Sequence, residues 1–332
     1  MVVIFSEAAF ADRKFMLSDF QMSPDGKLVA FQYQHKPQGL HRLGLINLET
    51  GALTPIPAPQ GKHLGSPSFS YDGKRLAAVI GDNSAFSVSQ IVVIDLATIQ
   101  LTQVTEGREP RYYPVFQPGT DQILYVVGGL GIFYHLRLLN ISDHTETTVL
   151  EKQDGFLVVI SRPSFVTSTE IIFQAIAPSD PELKDAVKQL TESEFAQVSY
   201  RLRFGDHPEL LFPHVESNRK AFFRPGLSWL SASENGNHVV VVYLSNVEPR
   251  TKGVGYNYEI FKLENGKLKQ LTNVRSHIQA AHVSYKGSKV AFGSDPKRRR
   301  EWDLFVLDMK TGKIRATNLL ERLAKHPEFA PK

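Results

Sequence analysis

The chain of 332 residues contains no cysteine. That single absence excludes disulfide frameworks, thiolate zinc sites, iron–sulfur clusters and thiol catalysis. No apolar run approaches the ~20 residues that a bilayer-crossing helix needs. Excess charge is also scarce: 38 basic against 34 acidic side chains leave a net +4, too little to argue for nucleic acid as a partner. Catalytic signatures are missing as well. There is no G-x-S-x-G elbow, no G-x-x-x-x-G-K-[ST] and no H-E-x-x-H. Gly128-Gly129-Leu130-Gly131 is glycine-rich but precedes a strand-like segment, so it offers no helix N-terminus to a phosphate. What remains, 42% apolar and 22% charged, is the composition of a globular protein.

Residues 1–14 read as an arm. Ala9-Phe10-Ala11 followed by Asp12-Arg13-Lys14 matches the end of a secretory signal that lacks its basic beginning and has a shortened apolar stretch, Val2 to Phe5. A periplasmic or secreted location is the expectation that follows, and the cytoplasm if the segment is an ordinary arm.

Beyond the arm the chain repeats itself. A strand–turn–strand element occurs at 19–31 (DFQMSPDGKLVAF), 67–79 (PSFSYDGKRLAAV), 114–126, 163–173, 227–242 and 281–292. Its turns carry Asp25-Gly26, Asp72-Gly73 and Asn235-Gly236, dipeptides that tolerate positive φ. A second hairpin follows each copy, as in LGLINLETGALTPI (43–56), YEIFKLENGKLKQL (258–271) and LFVLDMKTGKIRAT (304–317), with Gly51, Gly266 and Gly312 at the same place. Apolar anchors of the first strand fall at Phe20, Phe69, Phe116, Phe165, Trp229 and Val283. A four-stranded unit of ~40–50 residues is the signature of a propeller blade. The sequence therefore predicts an all-β fold, a six-bladed β-propeller of four-stranded antiparallel blades over 15–317. A helical insertion is expected in blade four at about 177–199, and a short helical tail at 318–332, with Asn318 as its N-cap and Pro327 as its end.

SPDGKLVAF, FSYDGKRLAAV and LENGKLKQLT resemble the repeats of TolB-type six-bladed propellers, which are WD40-like propeller repeats. The resemblance covers about residues 15–317 and is specific in blades one, two and six. The family's separate N-terminal α/β domain has no counterpart, since the first blade begins near Phe15. The resemblance implies a non-enzymatic, periplasmic, protein-binding propeller, and whatever partner binding the missing domain carries does not transfer.

Within each blade the strands a, b, c and d form a meander, so the a–b and c–d turns share one face and the b–c and d–a connections the other. The b–c connections are the long ones, at about 34–42, 81–90, 128–135, 176–199, 245–257 and 293–303. Elaborate loops on a rigid scaffold carry binding, which makes this the candidate face. In windows three to eight residues before each anchor, eight basic residues stand against Asp12 and Glu109, a net +6. Converging cations concentrate anions, and Arg clamps carboxylates. The candidate ligand site is therefore Arg111, Arg162, Arg224 and Arg275 for charge, with Tyr112, His277 and His63 alongside.

The helix expected from Ser179-Asp180-Pro181-Glu182 onward would wall that mouth or dock a partner. Lys297-Arg298-Arg299-Arg300 reads as a solvated loop tip. His277, His282 and His63 are the one histidine set that topology brings toward the axis, so whether a metal binds is left open. The leading expectation is a monomeric, non-enzymatic propeller without a cofactor, binding an anionic ligand or an acidic peptide of a protein partner. Resemblance to oligogalacturonate lyases, which are also propellers of this repeat type, supplies the alternative: metal-assisted cleavage of an acidic oligosaccharide at the same mouth. A third possibility is a scaffold bound through the opposite face.

Overall fold

The computed structural model describes residues 15–35, 39–82, 88–128, 135–150, 156–159, 162–178, 180–191, 198–211, 230–233, 236–250, 253–264, 267–295 and 302–329. Blade one is β1 (Met16–Met22), β2 (Leu28–Gln34), β3 (His41–Asn47) and β4 (Leu53–Ile56). Blade two is β5 (His63–Phe69), β6 (Arg75–Gly81), β7 (Ser89–Asp95) and β8 (Leu101–Gln103). Blade three is β9 (Arg111–Phe116), β10 (Gln122–Val127), β11 (His135–Asn140) and β12 (Glu146–Leu150). In blade four the inner strand comes in two pieces, β13 (Phe156–Val159) and β14 (Ser164–Thr167), both paired with β15 (Glu170–Pro178). Its outer strands are β16 (Val198–Arg203) and β17 (Glu209–Leu210). Blade five is β18 (Leu230–Ala232), β19 (Val239–Arg250), β20 (Gly253–Glu264) and β21 (Lys267–Gln270), and blade six is β22 (Ile278–Val283), β23 (Lys289–Ser294), β24 (Asp303–Asp308) and β25 (Ile314–Ala316). All six sheets are antiparallel and ordered as the chain runs, as the sequence predicts.

Alternation explains why the second strands are apolar on both faces. In β6, Leu76, Ala78 and Ile80 pack toward blade one, while Ala77 and Val79 pack toward blade three. Each of the six wedges between blades holds one such cluster, and each fully buried side chain of this size contributes about 1.5–3 kcal/mol. The ring closes by the same means. Ala280, Ala291, Leu304 and Val306 of blade six meet Phe20, Val29, Phe31 and Ile46 of blade one, and among the described residues no strand is borrowed.

Two helices lie outside the blades among the described residues. The first, α1 (Pro181–Thr191), lies between β15 and β16 and buries Val187 against the blade-four cluster, while residues 192–197 lie outside the described ones. The second, α2 (Leu319–Lys325), buries Leu319 and Leu323 in the closing wedge. Asn318 does not cap it. The residue is left-handed (φ 54°) and its side chain makes no cap bond. Asp303 Oδ1 accepts the N–H groups of Leu319 (2.8 Å) and Leu320 (3.4 Å) instead. After α2 a 3-10 turn, Pro327–Phe329, lays Phe329 beside Phe31 and Tyr33, with ring centroids 6.2 and 5.4 Å away. Gly44 makes room for it: a Cβ there would come within 2.8 Å of the Phe329 ring and 2.5 Å of Phe31.

One expected loop is strand. Residues 245–257 continue the pairing of β19 and β20 down to Arg250↔Gly253, leaving only 251–252 to connect them, so backbone groups expected in a loop are satisfied in a ribbon. The c–d turns are built alike in four blades. Asn47, Asp95 and Asp308 each accept two backbone N–H groups and Asn140 accepts one, and four residues later a left-handed residue follows, Gly51, Ile99, Gly312 and His144 respectively. Gly266 lies outside the described residues.

Candidate functional site

The innermost strands position the site. Their pairing shows that the equivalent anchors are Met22, Phe69, Phe116, Phe165, Ala232 and Val283, five of them opposite the second residue of the partner strand and Ala232 opposite Val239, the first of β19. The sequence placed blade one's anchor at Phe20 and blade five's at Trp229. In blade one the aromatic was matched rather than the turn, and the turn sets the register: Ser23 N bonds Leu28 O just as Ser70 N bonds Arg75 O and Ser233 N bonds His238 O. Trp229 lies outside the described residues.

A little upstream of the anchors the inner strands break step. Register shifts fall at Leu17/Asp19, Gly65/Ser68 and Gln279/Ala281, with another in β9 opposite Leu124/Val126. Ser66, Tyr113 and Ala280 are left-handed at these bulges. Pro67, Pro114 and Pro163 follow at the same place in blades two to four, where an inner edge strand tolerates a residue without an N–H.

These strands enclose a cavity of about 80 Å³ on the axis. One ring of its wall is the six anchors. A second is formed by the residues just before them, Gln21, Ser68, Val115, Ser164, Ser231 and His282. Pro24, Pro118, Tyr71 and Tyr285 line its outer end, so the cavity lies toward the a–b turn face, opposite the mouth favoured from loop lengths. Tyr71 is 43% exposed and meets Tyr285 edge-on at 4.4 Å.

Of the predicted site residues, Arg162 lines this cavity. It sits in the gap between β13 and β14, three residues before Phe165, and Asp19 sits three residues before Met22. Blades one and four face each other in a ring of six. Arg162 Nη2 accordingly reaches Asp19 Oδ2 at 2.7 Å, and Nη1 donates to Gln21 Oε1 at 3.2 Å. His282 Nε2 stands 3.8 Å from Asp19 Oδ1. Burial works to raise the Asp19 pKa, but Arg162 and then His282 outweigh it and hold the carboxylate below its ordinary range. Burial pushes His282 down, against the pull of Asp19, so it stays neutral. Arg162 Nε has no hydrogen-bond partner. Sequence reasoning overlooked Asp19. Aligning the blades on their turns, not on aromatics, puts it level with Arg162.

The other predicted residues are dispersed. Arg111, the first residue of β9, is buried, donates to Gln90 Oε1 (3.0 Å) and the Glu109 carbonyl (3.1 Å), and stands 3.7 Å from Glu146. It thereby ties blade two to blade three. Tyr112 is half-buried against the wedge between blades three and four. His63 is buried, and its Nδ1 accepts the His41 N–H at 3.1 Å. Burial, then the neighbouring His63, takes His41 down to about 4, and burial with Arg42 lowers His63. Arg275 is exposed on left-handed backbone (φ 50°), and its N–H donates to Glu259 Oε1 at 2.7 Å. His277 has its ring between Tyr258 (4.7 Å) and Trp302 (4.9 Å). Arg224 and Lys297 to Arg300 lie outside the described residues. His63, His277 and His282 are not brought together, and among the described residues no three His, Asp or Glu side chains are placed to share a metal ion.

No sequence family and no curated protein matches the chain. Solved structures do match by fold. TolB from Acinetobacter baumannii is similar at 15% identity and a TM-score of 0.54, over 91% of this chain and 68% of that one. An oligogalacturonate lyase in complex with manganese is similar at 16% identity and 0.55, over 91% and 77%. A puromycin-hydrolysing peptidase of Mycobacterium tuberculosis is similar at 13% and 0.55, over 94% and 55%. The TolB-type resemblance is borne out at the level of fold, and these likenesses carry the fold alone. No helix among the described residues is long and apolar enough to cross a membrane.

Proposed function

We propose that the protein is a non-enzymatic binding propeller whose channel takes an anionic group, carried on an acidic peptide of a protein partner or on an acidic ligand. The observation that carries this reading is Arg162: a guanidinium 5% exposed, on the channel axis, lining a cavity, with one N–H left unpartnered. Buried donors are normally satisfied, and a charged donor favours a charged acceptor. Arg275, exposed before blade six, and Arg224 before blade five would add charge at the b–c/d–a mouth for a longer ligand, with His277 supplying packing and a hydrogen bond. The alternative, a metal-assisted lyase, finds no donor set among the described residues to rest on. An extracytoplasmic location is part of the proposal and rests on the signal-like residues 1–14 alone.

The test is a thermal-shift titration with tetragalacturonate, an acidic peptide and neutral counterparts of equal length. At ~100 times its dissociation constant a ligand adds ~2.7 kcal/mol, visible as a raised midpoint. Stabilisation by the acidic compounds, lost in Arg162→Gln, is the expected result. Equal shifts from neutral compounds, or shifts that survive Arg162→Gln, would overturn it.

A further inference from the structure

We propose that the axial cavity is a site for a carboxylate carried on a small branched apolar group. This rests on the anion-binding reading above and names the ligand class that reading leaves open.

The donors come first. Arg162 Nη1 donates to Gln21 and Nη2 to Asp19, each nitrogen carrying a second N–H, while Nε has no partner. Ser164 Oγ accepts the Ala232 N–H at 2.9 Å, and Ser231 Oγ accepts the Val283 N–H at 3.2 Å. These two bonds staple the inner strands of blades four, five and six in succession. A hydroxyl that accepts still holds a proton to donate, and both serines line the cavity. The Arg162 side chain and two hydroxyls thus line one small space, a set that favours a charged acceptor. Asp19 is not part of the cavity wall.

The remaining wall sets the size and polarity. Met22, Phe69, Phe116, Phe165, Val115 and Val283 supply apolar surface. The volume, about 80 Å³, is about half that of the roughly 150 Å³ cavity known to hold benzene. That space matches an isopropyl or isobutyl group more closely than a sugar ring. Two sources present this chemistry: a free branched short-chain acid, and the C-terminal Val or Leu of a polypeptide entering past Tyr71 and Tyr285.

Calorimetric titration of the full chain tests it, with isovalerate, N-acetyl-leucine, the amides of both, acetate and tetragalacturonate. Either apolar carboxylate is expected to bind at least tenfold tighter than its amide and than acetate. Arg162→Gln should abolish that binding. Val115→Phe, which fills the cavity and leaves the Arg162–Asp19 pair intact, should do so too, and it decides the matter alone if Arg162→Gln does not fold. Binding of N-acetyl-leucine without isovalerate assigns the site to chain termini, and the reverse to the free acid. If acetate or tetragalacturonate binds as well as isovalerate and depends on Arg162, the anion reading stands and this proposal falls. If isovalerate and N-acetyl-leucine bind unchanged to the folded Val115→Phe variant, the proposal also falls. If no anion binds, both fall.

Discussion

The guanidinium of Arg162 and the carboxylate of Asp19, 143 residues apart in the chain, meet at 2.7 Å across the axis of the ring. Neighbouring blades hold one another through apolar wedges, but opposite blades have no surface in common. This pair gives blades one and four a direct bond through the channel. Both side chains are more than nine-tenths buried, so the bond is only slightly screened.

Removing one partner strands the other. Arg162→Gln leaves a buried carboxylate without its cation and is expected to cost about 3–5 kcal/mol in urea unfolding. Asp19→Asn/Arg162→Gln removes both charges and should recover most of that loss. A double variant as unstable as the sum of the single ones would show that the two side chains act independently.

Gly44→Ala tests the docking of the C-terminal segment. The added methyl would overlap both Phe31 and Phe329, and neither ring has space to retreat within the closing wedge. A loss of about 1–3 kcal/mol is expected, as for other overpacked cores. Phe329→Ala removes one of the two obstacles, so the double variant should lose less than the two single losses added together. Chemical denaturation of the four proteins measures this directly.

The blades were legible because a strand buried on both faces has a plain signature, a short apolar run beside a turn dipeptide, repeated six times. The turn dipeptides were better guides to register than the aromatics: Phe20 was two residues early because the Ser23-to-Leu28 turn, not the ring, fixes blade one's anchor. That slip hid Asp19, which falls level with Arg162 once the turns are aligned. Counting charge near the channel also could not say where long side chains go. Arg111 turns into a wedge because Gln90, the Glu109 carbonyl and Glu146 are there to meet it, while Arg162 turns to the axis because Asp19 is. Neither choice is written in local sequence.

Acid should weaken the fold before the carboxylates titrate. His41 is held neutral down to about 4, while in the unfolded chain it takes a proton near its ordinary 6.5. A histidine with a depressed folded pKa contributes stability that is complete above the unfolded value and is lost as pH falls from there toward the folded one. After allowance for its partial exposure, His41 accounts for up to about 2 kcal/mol between those limits. His63, His238, His277 and His282 are lowered too and act in the same direction. The measurement is the urea-unfolding free energy at steps of pH across that range. His41→Gln should flatten the slope whatever it does to stability at neutral pH, and an unchanged slope would remove His41 from the account.

The c–d turns offer the reverse test, a gain. Ile99 (φ 56°) and His144 (φ 58°) occupy the left-handed position that Gly51 and Gly312 fill in blades one and six. For a side chain with a Cβ that conformation costs roughly 1–2 kcal/mol, most of all for a β-branched one. Glycine relieves the strain but loses more freedom on folding, by roughly 0.5–1 kcal/mol. The His144 side chain is exposed, but its Nδ1 lies 3.3 Å from the Val104 carbonyl, so His144→Gly gives up that one contact and should gain at most about 0.5 kcal/mol, seen as a raised thermal midpoint. Ile99 is half-buried, and Ile99→Gly gives up that packing as well, so its gain should be the smaller of the two. The order matters more than the size. If Ile99→Gly lowers the midpoint while His144→Gly raises it, the buried face of Ile99 outweighs its backbone strain. If both lower it, the left-handed turn is held so firmly by Asp95 and Asn140 that the strain has no other shape to relax into.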